Sequence, residues 1–201
     1  MMLCHTLAFA LGFIMDIILG DPAALPHPVQ LIGKLIELLD KRLYRTGNND
    51  YVNKINLRRG RIVVIIMLLV TIVISGSVLI AAYYVNQIAG VIIEAVMSWQ
   101  ILAVKSLKTE SMKVYTALRS KDTEAGRRAV SMLVARDTAA LDEEGIAKAA
   151  VETVAENTCD GIIAPLLYLA VGGPILGFAY KAASTMDSMI GYKNERYLYF
   201  G

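Results

Sequence analysis

The 201-residue chain is 56% hydrophobic and 19% charged, with a mean hydropathy of +0.51, a composition outside the range of soluble globules and opposite to that of disordered segments. Its 20 Lys and Arg against 18 Asp and Glu leave a net charge of +2, which supplies no drive toward nucleic acid, and no nucleic-acid partner is expected. Cys4 and Cys159 are the only cysteines and match neither a disulfide framework nor a zinc spacing.

Residues 3–19 form an apolar stretch nearly long enough to cross a bilayer, interrupted by Asp16 one turn before its end. With no basic leader and no small-residue cleavage site, it reads as a retained anchor. Asp21, Pro22, Pro26, His27 and Pro28 then stop the helix in a loop, and residues 30–43 carry Leu31, Leu35, Leu38, Leu39 and Leu43 at helical spacing, the pattern of a helix lying on the membrane surface. A polar, turn-rich stretch is expected over 47–56. Arg58, Arg59 and Arg61 precede a continuous apolar run over 62–82, and residues 88–104 return across the membrane despite Glu94, closing on Lys105, Lys108 and Lys113. Cations at both ends of this hairpin place them in the cytoplasm by the positive-inside rule.

Residues 105–160 contain no apolar run long enough to span and read as a cytosolic helical insertion. Three helices are predicted: 106–119 with Leu107, Val114, Tyr115 and Leu118 inward; one capped by Asp122 with Ala125, Ala129, Met132 and Leu133 inward; and one from near Asp142 to about Asn157. Residues 162–180 are the last apolar stretch, broken by Pro165, Gly172, Gly173 and Pro174. A broken helix survives at membrane depth only where neighbouring protein or a cavity satisfies its freed backbone. The expected fold is an all-α polytopic membrane protein with about four transmembrane helices. It divides into 1–61, 62–104, 105–160 and 161–201.

Several side chains stand out chemically. Glu152 and Glu156, four apart on one helical face, repel unless Lys148, a magnesium ion or a cationic substrate group offsets them. Taken alone they fit a solvated charged face; Asn157 and Asp160 at the same helix end add the oxygen ligands that magnesium takes together with phosphate. Arg136 offers a planar fork for phosphate, while Asp137 suits a helix cap. His27 is held between two prolines, and Asp187 stands beside the small hydroxyl of Ser188, ahead of Gly191 and Tyr192. Asp16, a carboxylate at membrane depth, suggests function by default. No Walker-type phosphate loop, dinucleotide fingerprint or zinc helix is present.

The segments "MDIILGDPAALPHPVQLIGKLI", "RDTAALDEEGIAKAAVETVAENTCDGIIAPLLY" and "YKAASTMDSMIGYKNERYLYFG", in this order, together resemble the adenosylcobinamide-phosphate synthase family of cobalamin biosynthesis. Ala135 and Ser184 depart from that family's usual residues, and family members run on past the motif ending at Gly201. The resemblance implies an ATP-dependent amide ligase of the cell membrane with its site on the cytoplasmic side. Its substrates are the corrinoid adenosylcobyric acid and an aminopropanol phosphate or related amino alcohol; its cofactors are ATP and Mg2+. Expected roles are proton transfer for Asp21 and His27, substrate binding for Arg136, Asp137, Asn157, Ser188 and Tyr192, and metal binding for Glu152, Glu156, Asp160 and Asp187. The alternatives are a membrane transporter and a non-catalytic anchor of the same pathway. Association with other enzymes of that pathway or with itself stays open.

Overall fold

The structure, a computed structural model, describes residues 2–22, 27–47, 49–134 and 137–201. Its helices are α1 (Met2–Leu19), α2 (Pro28–Leu43), α3 (Asp50–Val85), α4 (Gln87–Trp99), α5 (Val104–Arg119), α6 (Thr123–Ser131), α7 (Glu143–Thr158) and α8 (Ala164–Ile190), with a π-helical turn, Cys159–Ile163, joining α7 to α8. No strand occurs among the described residues. Among the described residues, four helical stretches, Met2–Leu19, Asp50–Val85, Gln87–Arg119 and Glu143–Ile190, are long and apolar enough to cross a membrane. The chain is an all-α protein of membrane type.

Helix α3 starts well before its apolar run. Asn49 accepts the Val52 N–H at 2.9 Å and Asp50 occupies the first turn, so the stretch expected to be turn-rich is helical from Asp50 onward, because an amide cap and an acidic first turn satisfy a helix N-terminus. Its 36 residues extend about 54 Å at 1.5 Å per residue. A bilayer core takes about 30 Å of that, so the Arg58 end projects beyond it. The buried Asn56 amide donates to the Arg45 carbonyl and accepts the Arg45 N–H, which staples the end of α2 to the projecting part of α3. On α2 the face turned to the protein is centred on Ile32, Ile36 and Asp40, whereas Leu31 and Leu38 are exposed.

Helices in lipid gain little from burying apolar surface against each other, so close contact depends on small residues. On α1, Ala8, Gly12 and Asp16 form the buried stripe. A Cβ at Gly12 would lie 2.6 Å from Ser98 Cβ and 2.8 Å from the Ala95 carbonyl of α4. That packing delivers Asp16 to the start of α5. Asp16 Oδ2 accepts the Val104 N–H at 2.8 Å, and Lys105 Nζ donates to the Ile18 and Leu19 carbonyls at the end of α1. The two helices therefore cap each other: the acid meets the positive end of α5 and the ammonium meets the negative end of α1. Trp99 Nε1 donates to the Gly20 carbonyl at 2.8 Å and closes the joint. The intramembrane acid thus has a structural task. Asp16→Ala is expected to cost about 1–3 kcal/mol, the penalty for a buried N–H left without its acceptor, and Asp16→Asn clearly less, because an acceptor oxygen remains. Thermal unfolding of the two variants in detergent measures the difference.

The break in α8 is a reversal of direction. Gly172 and Gly173 leave helical geometry, with Gly173 at φ 60° and ψ −160°, and Pro174 follows. Tyr168 and Tyr180, twelve residues apart, would be about 18 Å apart along a straight helix, yet their rings stack with centroids 4.9 Å apart. A Cβ on Gly177 would come within 3.0 Å of the Leu169 side chain. The halves 164–171 and 174–190 therefore run antiparallel, and the hairpin returns to the end from which it enters. Its tip packs on α1 and α4, where Glu94 accepts from Tyr83 Oη and pairs with His5 Nδ1.

Helices α5, α6 and α7 close a small core of their own from Val114, Val130, Ile146 and Ala149. Asp122 and Asp142 cap α6 and α7 through the Ala125 and Gly145 N–H groups, as the sequence predicts. Two expected core residues are not in it. Tyr115 is 53% and Met132 77% exposed, because the inward face of α5 runs through Val114 and Ala117 and α6 ends at Ser131, one residue before Met132.

Candidate functional site

Helix α7 leads directly into a hairpin that returns to its own starting end, so the ends of α7 and α8 meet. A cleft of about 560 Å³ lies between them, lined by Glu152, Thr153, Glu156 and Asn157 from α7 and by Asp187, Ser188, Gly191 and Tyr192 from the end of α8. Leu133 and Val134 form the remaining wall. Six of the residues expected at the site thus share one polar cleft: Glu152, Glu156, Asn157, Asp187, Ser188 and Tyr192. Asp160 lies elsewhere, on the π-helical turn beside Tyr180. Asp137 accepts the Ala139 N–H at 2.9 Å in a local turn and caps no helix, because the next one, α7, starts at Glu143 and is capped by Asp142. Arg136 lies outside the described residues.

The cleft rim is anchored from below. Beyond Gly191 the chain turns back on α2, where Arg196 donates to Asp40 Oδ2 at 2.7 Å and Tyr197 Oη to the same oxygen at 3.2 Å. The Arg196 guanidinium stacks 4.6 Å from the Tyr44 ring centroid, and Phe200 is buried against Ile36, Met67 and Met186. A Cβ at Gly60 would collide with the Phe200 carbonyl, so glycine on α3 is what lets this segment dock.

The donor set suits a divalent cation that also holds phosphate oxygens. Three carboxylates and an amide line the cleft, while among the described residues no three acid, imidazole or thiol groups close into a protein-only cage. Magnesium typically takes one or two carboxylates and fills its octahedron with water and phosphate, so a cleft with room for those ligands fits it.

Asp21 and His27 form a second polar group against the first turn of α5. Ser106 Oγ donates to Asp21 Oδ2 at 2.6 Å, and His27 Nε2 lies 3.5 Å from Asp21 Oδ1. His27 also caps α2, its Nδ1 accepting the Val29 N–H at 3.3 Å. With Nδ1 accepting from the α2 backbone, Nε2 is the nitrogen that faces Asp21 as a donor, an arrangement that orients the carboxylate. Burial raises the Asp21 pKa, but the hydrogen bonds from His27 and Ser106, with the positive charge of Lys181, outweigh it, and the carboxyl lies below its ordinary value of 3.8. It stays ionised down to acid pH.

Two further residues, Ser106 and Lys181, belong to this region in the structure. Ser106 carries no sequence signal. Lys181 does, because an ammonium in the apolar run "GFAYKAAST" is as unusual in a membrane segment as Asp16.

A family model described as CobD/Cbib protein matches residues 9–201. The chain is 46% identical over 188 residues to the "Cobalamin biosynthesis protein CobD" of Geobacter metallireducens, covering 94% of this chain and 57% of that protein. Its counterpart of the same name in Pelobacter propionicus is 45% identical, covering 96% of this chain and 58% of the relative. For that of Halalkalibacterium halodurans the identity is 41%, with 100% and 61% covered. The chain spans about three fifths of the length of these relatives. No solved structure matches it.

Proposed function

The chain belongs to the CobD/Cbib family of cobalamin biosynthesis, and on that premise we propose that it forms an amide, with ATP, between the carboxylate of adenosylcobyric acid and an aminopropanol phosphate or related amino alcohol. The observation that carries the reading is the polar cleft into which α7 and the end of α8 bring Glu152, Glu156, Asn157, Asp187 and Ser188. Amide formation needs an activated carboxylate, a neutral amine and compensation of phosphate charge.

Glu152, Glu156 and Asp187 are the candidate ligands for the magnesium that accompanies the nucleotide, and Asn157 and Ser188 the neutral donors beside it. A metal held by these residues would supply neutralisation of phosphate charge and polarisation of the phosphoryl group. Arg136 and Asp137, on the segment that follows the Leu133–Val134 wall, are assigned to the amino-alcohol phosphate, and Tyr192 to substrate contact at the rim. Asp21 takes the proton of the attacking amine and His27 holds it in place. The cationic residues Arg58, Arg59, Arg61, Lys105, Lys108 and Lys113 lie at the end of the molecule that carries this machinery, which supports a cell-membrane protein with its cleft on the cytoplasmic side.

A transport reading draws support from Glu94, 4% exposed at membrane depth and paired with His5 at the hairpin tip. The deciding experiment supplies the purified protein with ATP, Mg2+, the corrinoid acid and labelled amino-alcohol phosphate. Label entering the corrinoid only when ATP is present is the expected result. Corrinoid or amino-alcohol uptake into proteoliposomes without amide formation establishes transport instead, and neither activity leaves a membrane anchor.

A further inference from the structure

Lys181 sits on the returning half of the α8 hairpin, partly buried and within electrostatic reach of Asp21 and Asp16. Among the described residues its ammonium makes no hydrogen bond or ion pair; only the backbone carbonyl is used, accepting from Thr185 Oγ1. Asp21 holds Ser106 and faces His27; Asp16 Oδ2 holds the Val104 N–H, while Asp16 Oδ1 is buried without a hydrogen bond. The Lys181 ammonium offsets the charge of both acids without hydrogen-bonding either, and its three donors remain open. Lys181 and Ser188 are seven residues apart on one helix, which places them on the same face about 10 Å apart along the axis. Ser188 lines the cleft. Lys181 thus marks the membrane-side end of the same face, beside Asp21.

We propose that Lys181 is the oxyanion-binding residue of this site, taking the carboxylate of the acid substrate and then the negative charge that develops on its oxygen during amide formation. This rests on the reaction proposed above. With the carboxylate activated by ATP as a mixed anhydride with phosphate, the amine nitrogen attacks the carbonyl carbon and the carbonyl oxygen becomes an oxyanion. As the carbon–nitrogen bond is completed, the carbon–oxygen bond to phosphate breaks and its electron pair leaves with the phosphate. The nitrogen's proton passes to Asp21. An ammonium beside that base meets the charge where it forms, in a partly buried setting where such contacts are strongest. Lysine suits the task because it offers a compact point charge on a flexible stem.

Direct binding separates this role from simple neutralisation of Asp16 and Asp21. The corrinoid acid and the same corrinoid with that carboxylate converted to a primary amide are titrated against wild type, K181M and K181R in detergent, following corrinoid absorbance, with unfolding temperature measured in parallel. K181M is expected to lose at least about tenfold in affinity for the acid, the size of one charge-assisted hydrogen bond, and less than about twofold for the uncharged amide. K181R retains most of the acid affinity. Equal loss for acid and amide, or an acid affinity unchanged in K181M, overturns the assignment. Wild type that binds the acid selectively yet forms no amide overturns the reaction and leaves the Lys181 site standing, whereas wild type that binds no corrinoid acid overturns both.

Discussion

Asp187→Asn and Glu156→Gln are each expected to lower ATP-dependent amide formation by about 10²–10³-fold, the usual consequence of removing one group that holds charge in a phosphoryl or acyl transition state. The two residues approach the cleft from different helices, Glu156 from α7 and Asp187 from the end of α8. Both are exposed to solvent, so their neutral isosteres leave no buried charge behind and the unfolding temperature is expected to stay within a few degrees of wild type. Raising the Mg2+ concentration should recover part of the activity of each variant, because a weakened ligand set is refilled by mass action. A purely solvated acidic face predicts no loss of activity and no magnesium dependence of the defect. Steady-state rates as a function of Mg2+, with unfolding temperature as the control, decide between the two.

Gly173→Val is expected to reduce both stability and cleft function. At φ 60° and ψ −160° the residue occupies a backbone region reserved for glycine, where any side chain costs about 1–3 kcal/mol and a β-branched one sits at the upper end. A Cβ there also meets His5 Cε1 at 3.4 Å and Glu94 Oε1 at 3.5 Å, so further branches at the tip press on the pair beneath. Opening the hairpin separates α7 from the end of α8, and nucleotide binding in the cleft should weaken together with thermal stability. Gly33→Ala is the matched control. Its Cβ would meet only Met189 Sδ at an ordinary 3.5 Å, inside a helix where alanine is favoured over glycine by about 1 kcal/mol. Nucleotide affinity and unfolding temperature that fall in the first variant and hold or rise in the second verify the hairpin as the element that assembles the cleft. An unaffected Gly173→Val protein removes that role.

Local pattern was enough for much of this molecule. The composition excludes a soluble globule, the apolar runs mark the membrane stretches, Asp122 and Asp142 announce their helices, and "GGP" shows where the last one breaks, because hydropathy, capping and the φ limits of glycine and proline act within a few residues. The motifs resembling the adenosylcobinamide-phosphate synthase family also lie in the linear sequence, and the chain does belong to a family of cobalamin biosynthesis. Periodicity did worse at choosing faces. Tyr115 and Met132 read as inward yet are exposed, since which side of a short amphipathic helix is covered depends on what packs against it.

Three things needed the tertiary structure. That α8 reverses rather than kinks is settled by the stacking of Tyr168 on Tyr180, a contact that no spacing rule distinguishes from a bend in a continuing helix. That Asp16 caps another helix depends on Gly12 allowing α4 to come close enough to deliver Val104. That Glu156 and Asp187 face one cleft, with Lys181 further along the Asp187 helix toward Asp21, follows from the reversal itself. The sequence by itself determined the class of protein, the place of its breaks and the residue types available for chemistry, because those follow from short-range sterics and solvent preference. Which of those residues meet was decided only by the fold, because contacts between groups tens of residues apart are set by how helices pack and turn, and no local propensity encodes that.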